Sequence, residues 1–424
     1  MLNFIFKGLL RDKRRSVLPV IVVSIGVFLT VFKTGWLTGV FRDMADITSR
    51  FSTGHVRIMT QAYAESENQN PNDLAILNVN SLKAEIEQLY PQIEWVSRIN
   101  FSALIDIPDE NGETKVQGQA IGMGIDIFGK NSIETERLNI INSVVKGTIP
   151  SKQGEALLSD EFASKFGIMP GDDITLFGST MNGSMVFRTY VVSGTVRFGS
   201  PQLDKGAVII DLTDAREALD MSDAAGVVLG FFKSGEYNDE QAIAIKESFN
   251  SKFLIKDDEF SYMMKRLRDD EELDSFLSLG DNMSYIMMFI FIAAMSVVLW
   301  NTGLLGGLRR YTEFGIRLAL GEEKRHIYLT TIMEAMLIWI TGSILGTFFG
   351  FLAAWYLQEV GIDVGNMMNN ATMMLPQVFK AQITPKLFYV GFIPGTVAMV
   401  MGNALAGLVI YKRKTAQLFK ELEV

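Results

Sequence analysis

The 424-residue sequence is 48% hydrophobic, with a mean hydropathy of +0.20 and a formal net charge of −9. That balance is too polar for a chain lying wholly within a bilayer, and the length allows two or three units. There is no cysteine, which excludes a disulfide framework and thiolate metal sites.

Residues 1–15 place Leu2, Ile5, Phe6, Leu9 and Leu10 on one helical face with Lys7, Arg11 and Lys13 off it, the pattern of an amphipathic helix in the cytoplasmic interface. An apolar run follows over 16–41. Crossing roughly 30 Å of hydrocarbon takes about 20 residues, and three further runs of that order lie at 283–305, 327–357 and 387–411. Only Lys33 and Glu334 place full charges inside these runs. The first run is too long for a signal peptide and lacks a small-residue cleavage site, so it reads as a retained helix.

Residues 42–282 are expected to form a folded α+β domain, since no ordinary connection is so long. HVRIMT (55–60), TYVVSGTV (189–196) and GAVIIDL (206–212) are rich in β-branched residues and predict strands. NSLKAEIEQLY (80–90), LSDEFASKFG (158–167) and LTDAREALD (212–220) predict helices, and MPGDDITLFG (169–178) predicts a turn leading into a strand. Two lobes are expected, the chain leaving one near Asp126 and returning to it near Val227. His55 reads as a surface or strand-end residue, and Asp269 to Glu272 as solvated helix charge. Phe260, Met263, Met264, Leu267 and Leu273 recur at three- and four-residue steps, predicting an amphipathic stalk helix that runs into the second span. The alternative is a solvated helix that ends before the membrane.

Residues 306–326 lie between spans two and three. Tyr311, Phe314 and Leu318 share a helical stripe, with Ile316 and Leu320 beside it. Glu313 and Arg317 form an i,i+4 pair, Gly321 is placed to stop the helix, and Glu322 and Glu323 are expected in the first turn of the next. Such a helix suits force transmission from a cytoplasmic partner; otherwise it merely closes the hairpin. Within span three, Gly342, Gly346, Gly350 and Ala354 recur every four residues and line one face with small side chains, for close packing on a partner in this chain or a second copy. The loop 358–386 carries Met367, Met368, Met373 and Met374, an adaptable apolar lip for acyl chains or a partner, or plain packing at the membrane surface. Residues 412–424 form a basic-edged tail.

Lysines and arginines cluster before span one, between spans two and three, and after span four, which puts both termini and 306–326 in the cytoplasm. The outward segment 42–282 then holds roughly 22 basic against 39 acidic residues. The fold class expected is an α+β membrane protein of four transmembrane helices, with the large extracytoplasmic domain between the first and second. No phosphate-binding G-x-x-x-x-G-K-[ST] loop and no H-E-x-x-H zinc motif occurs. The chain is therefore expected to be non-catalytic, with no cofactor or metal of its own and no nucleic-acid partner.

The stretch RRYTEFGIRLALGEEKRHIYLTTIMEA, from Arg309, resembles the signature of the MacB, FtsX and lipoprotein-releasing (LolC/LolE-like) permeases of ABC transporters. Glu313, Gly315, Ile316, Arg317, Leu320 and Gly321 carry the match, and Glu334 matches the family's glutamate at the start of span three. Leu318 and Ala319 depart slightly from the usual Arg-Ala. The order of helix, span, outer domain and three spans is similar throughout, as is the segment GEALLSDEFASKFGIMPGDDITLFG followed by YVVSGTV. The resemblance implies a permease subunit in the bacterial inner membrane that works by mechanotransmission and pairs with a second copy or a paralogue. A cytoplasmic ATPase dimer, which holds ATP and Mg, would bind at Tyr311 to Gly321. Membrane lipids, a lipoprotein or other extracytoplasmic substrate, and a periplasmic carrier or adaptor are the other implied partners. Lipoprotein release to the outer membrane is the favoured activity. A MacB-like efflux or peptide-export permease and an FtsX-like regulator of a hydrolase are the alternatives.

Overall fold

A computed structural model describes residues 13–108, 113–130, 132–309, 316–317, 319–363, 374, 378–393 and 396. Residues 1–12 of the amphipathic segment expected over 1–15, most of span four and the tail lie outside them. Two units result: Met1–Asp43 with Phe276–Ile362 and Phe379–Val424, and Met44–Ser275 with Asp363–Val378.

The first helix, α1 (Lys13–Thr48), continues as a π-helical turn over Ser49–Thr53. Its apolar part tolerates hydroxyls because they bond back to the preceding turn: Thr30 Oγ1 donates to the Gly26 carbonyl at 2.8 Å and Thr34 Oγ1 to the Thr30 carbonyl at 2.7 Å.

The second unit is built on a ten-stranded sheet. Its strands are β1 (Val56–Thr60), β2 (Ile93–Pro108), β3 (Thr114–Ile125), β4 (Val144–Gly147), β5 (Glu155–Ser159), β6 (Asp173–Ser179), β7 (Met185–Val196), β8 (Ala207–Asp211), β9 (Val227–Phe232) and β10 (Tyr262–Arg266). Their order is β10-β1-β9-β2-β3-β8-β5-β7-β4, with β6 pairing β2 and β7. Helices α2 (Val79–Leu89), α3 (Asp160–Phe166), α4 (Pro201–Asp204), α5 (Leu212–Ala218) and α6 (Asp239–Phe253) pack on it. Local chemistry fixes their ends: the Ser159 hydroxyl accepts from the Phe162 N–H, Gly167 takes the left-handed φ of +71° that closes α3, and Asn238 caps α6.

The sheet divides between two cores. Val56, Ile58, Ile86, Trp95, Val228 and Phe249 belong to one, under α2 and α6. Ile105, Leu158, Phe162, Ile174, Tyr190 and Val208 belong to another. The sixteen-residue β2 serves both, pairing β9 through Ile93–Arg98 and β3 from Ile99 onward. The chain therefore leaves the first lobe along β2 near Ile99, well before Asp126, and rejoins it at Val227 in β9. One long strand can carry this crossing because its alternate residues stay on one face throughout.

The stalk expected from Phe260 is corrected. Residues 262–266 form β10, the edge partner of β1 with Met264 opposite Ile58, and the helix that follows, α7 (Glu271–Arg309), starts only at Glu271. Met263, Met264 and Leu267 fit a helical step, but the ladder offered by β1 satisfies their backbone and buries Met264 completely. In the first unit α8 (Lys324–Glu359) follows, then α9 (Lys386–Val390). Among the described residues, Val17–Thr53 and Arg325–Glu359 are long and apolar enough to cross a membrane, and Tyr285–Val297 is a shorter apolar stretch within α7.

Candidate functional site

In the first unit, the four-residue rhythm of α8 meets a matching one on α1. A Cβ added to Gly342 would come within 2.8 Å of the Val23 Cβ, one on Gly346 within 2.5 Å of the Ser24 carbonyl oxygen, and one on Gly350 within 2.9 Å of the Val31 Cβ. Ala354 is fully buried, and a Cβ on Gly35 would lie 3.3 Å from its methyl. Val23, Val27 and Val31, all fully buried, thus fill the row opened by the glycines. Close approach of backbones is what small residues permit where lipid supplies no hydrophobic drive. Further contacts hold α1: Gly26 adjoins Met295 of α7, and the same Val27 and Val31 would be reached at 2.9 Å by a Cβ on Gly391. Glu334 lies half-buried on α8 ahead of the seam.

Of the expected coupling residues, Tyr311, Glu313, Phe314, Gly315 and Leu318 lie outside the described residues. Ile316 and Leu320 are exposed, Leu320 to 82%. Gly321 has φ +89°, and the Glu322 N–H donates to the Arg317 carbonyl at 3.0 Å, so the helix stops there. Glu322 and Glu323 precede α8, Glu323 as its N-cap, rather than lying in its first turn, because this turn occupies both.

Met367, Met368 and Met373 lie outside the described residues. Met374, expected on an exposed lip, is buried instead: it packs with Ile140, Val196 and Phe198, and its N–H donates to the Arg197 carbonyl at 2.8 Å. An unbranched thioether fills such a gap as readily as it coats a surface.

Two buried arginines in the second unit were not singled out by sequence. Arg98 on β2 donates from Nη1 to the carbonyls of Arg50 (2.6 Å) and Phe51 (3.1 Å), within the π-helical turn that ends α1. Cationic donors at a helix C-terminus satisfy its orphan carbonyls and its dipole. The same guanidinium pairs through Nε with Glu134 at 2.6 Å, and both side chains are almost fully buried. Arg137 holds the other oxygen of Glu134 at 2.5 Å, pairs with Glu94 at 2.7 Å and stacks 4.0 Å over the Phe231 ring. Burial pushes the Glu134 pKa up, but Arg98 and Arg137 outweigh it and hold the carboxyl below its usual range.

Arg57 on β1 is the second anchor. It pairs with Glu67 at 2.8 Å and with Asp270 at 3.5 Å, and Asp270 Oδ1 accepts from the Leu273 N–H at the start of α7. Asp269 beside it is held by Arg266 (3.0 Å) and Lys246 (2.6 Å). The sequence signal was a charge inside an apolar strand, in HVRIMT and in WVSRINF.

His55, expected at a surface or strand end, stands just ahead of β1 but is buried. Its Nδ1 accepts from the Phe232 N–H at 3.0 Å among the rings of Phe231, Phe232 and Tyr237. Burial first, then the charges of Arg137 and Arg50, push its pKa down to about 4, so it is neutral here at ordinary pH.

Compared with known families, residues 16–246 match the MacB-like periplasmic core domain and residues 285–415 the FtsX-like permease C-terminal domain. Similar curated proteins include the lipoprotein-releasing system transmembrane protein LolC of Xylella fastidiosa strain 9a5c, 22% identical over 237 residues, and that of strain Temecula1, 23% identical over 235. Each comparison covers 54% of this chain and 55% of the relative, so the chain spans about half the length of the curated relatives it matches. The periplasmic region of MacB from Actinobacillus actinomycetemcomitans aligns with a TM-score of 0.34 at 10% identity, over 54% of this chain and 95% of that one.

Proposed function

The chain belongs to the superfamily of MacB-like and FtsX-like permeases of ABC-type transporters, and on that premise we propose that it is the non-catalytic membrane subunit of a mechanotransmitting transporter that extracts lipoproteins from the outer leaflet of a bacterial inner membrane. In this reading four helices cross the bilayer, both termini are cytoplasmic and the α+β domain faces the periplasm. A separate ATPase dimer, holding ATP and Mg, docks on 306–326, and a second copy or a paralogous permease completes the assembly.

The observation that carries the reading is the pair of arginine anchors. Arg98 bonds the last carbonyls of the helix that follows span one to β2, and Arg57 bonds Asp270, next to the first residue of α7, to β1. A displacement of either helix end strains the contacts of an arginine that is almost fully buried on the sheet, so the cheap response is for the sheet to move with it. The exposed Ile316 and Leu320 are apolar where an ATPase would sit. The name carried by the two Xylella fastidiosa relatives supports lipoproteins as cargo.

The MacB-like match over 16–246 favours a second reading, export of a peptide or drug through an adaptor and an outer-membrane channel. Reconstitution with a partner ATPase separates the two. ATP-dependent transfer of an acylated lipoprotein to a soluble carrier supports release. Co-purification of an adaptor and channel without such transfer supports export.

A further inference from the structure

One edge of the sheet stops short. β3 pairs with β2 along nearly its whole length, but β8 covers its other edge only from Ile121 to Ile125. The last bond of that ladder runs from the Ile121 N–H to the Gly206 carbonyl at 3.0 Å. Because a strand's backbone groups repeat every second residue on one edge, Gln119 and Gln117 turn their N–H and C=O groups toward the same side as Ile121. Among the described residues no strand pairs with them there, although Gly206 already stands against the Gln119 carbonyl, where an added Cβ would lie 2.5 Å from that oxygen. β8 cannot be extended to do so, because the chain before Gly206 turns into α4.

A cleft of about 790 Å³ runs from that edge across the sheet to Leu104 of β2 and Phe177 of β6, and at the edge it is lined by Gln117, Gln119, Phe162, Phe166, Lys165 and Lys205. Phe162 and Phe166 of α3 wall it with aromatic surface, their rings 4.6 Å apart. Lys165 and Lys205 are exposed, and no carboxylate pairs with either among the described residues. Lys165 Nζ lies 5.1 Å over the Phe166 ring, and two ammonium groups with no carboxylate beside them at one cleft are conspicuous in a segment, 42–282, with roughly 17 more acidic than basic residues.

Open main-chain donors and acceptors, an apolar wall for alternate side chains and a cationic rim are what an added strand requires. We propose that this cleft binds an extended polypeptide segment bearing an acidic side chain, which pairs with Lys115, Gln117 and the Gln119 N–H of β3 as an additional strand and sets its carboxylate between Lys165 and Lys205. The assignment is independent of the cargo chosen above, since it rests on the edge and not on the membrane helices.

The test uses the full-length protein in nanodiscs and a short fluorescein-labelled peptide of alternating valine and threonine with one central aspartate. Saturable binding is expected, with slowed hydrogen exchange at the amides of Gln117 and Gln119. Charge reversal in a Lys165→Glu/Lys205→Glu variant should weaken binding roughly tenfold or more, while Gln117→Pro, which removes one edge donor, should weaken it without altering the rims. The same peptide N-methylated at alternate amides should not bind. Equal binding of the methylated peptide, indifference to charge reversal, no saturable binding, or protection of these amides by laurate but not by peptide would each overturn the proposal.

Discussion

Gly346 on α8 faces the Ser24 carbonyl on α1 so closely that an added Cβ would lie 2.5 Å from that oxygen. Gly346→Leu therefore cannot be absorbed without parting the two helices. Overpacking of this kind costs about 1–3 kcal/mol. Thermal unfolding of the detergent-solubilised protein should shift down by several degrees for Gly346→Leu and less for Gly346→Ala; equal stability of wild type and the leucine variant would show the seam to be incidental.

Arg98→Met leaves Glu134 buried beside Arg137 alone and frees the carbonyls of Arg50 and Phe51. Removing one partner of a buried pair costs about 3–5 kcal/mol, whereas replacing both by apolar groups is far milder. Denaturant unfolding should thus rank wild type and Arg98→Met/Glu134→Leu close together, with Arg98→Met well below. A double variant as unstable as the single one would deny that the unpaired carboxylate is the cause.

His55 gives a pH signature. Its folded pKa of about 4 lies below its unfolded value of 6.5, so the folded state favours the neutral ring. The stabilisation is complete above the unfolded value and is lost as pH falls from about 6.5 toward 4, at roughly 1.4 kcal/mol per unit and on the order of 3 kcal/mol in all. The protection factors of the β1 and β9 amides, with the pH dependence of intrinsic exchange divided out, should fall over that range in wild type, and a His55→Gln variant should flatten the dependence. A wild-type profile already flat there would contradict the buried neutral histidine.

Leu320 is exposed beside the Gly321 turn. Leu320→Asp should leave membrane insertion intact yet reduce co-purification of the ATPase by roughly tenfold, as expected for an apolar contact at an interface. Unchanged recovery of the ATPase would remove Leu320 from the docking surface.

Sequence made some of this legible and hid the rest for physical reasons. The glycine rhythm in α8 was readable because spacing is local, but its partner row of Val23, Val27 and Val31 lies far upstream and only packing brings the two together. Met263 and Met264 suit helix or strand equally, and pairing with β1 decided between them. His55 looked superficial because Phe231, Phe232 and Tyr237, which bury it, come from the far side of the domain's sequence. Arg98 and Glu134 sit on different elements, so nothing in local periodicity announces that they meet. Met374 could have coated a membrane lip as well as it fills a core, since its side chain suits both.

Transmission of motion to the outer domain through the arginine anchors is tested most directly by measuring ATP hydrolysis and lipoprotein transfer together, for the reconstituted wild type and for Arg98→Met/Glu134→Leu, the variant expected to keep the fold and lose the Arg98 anchor. Hydrolysis at the wild-type rate with transfer reduced roughly tenfold or more is the predicted result, a loss equivalent to about 1.4 kcal/mol or more of coupling. Transfer at the wild-type rate, or hydrolysis and transfer failing in equal measure, would contradict it.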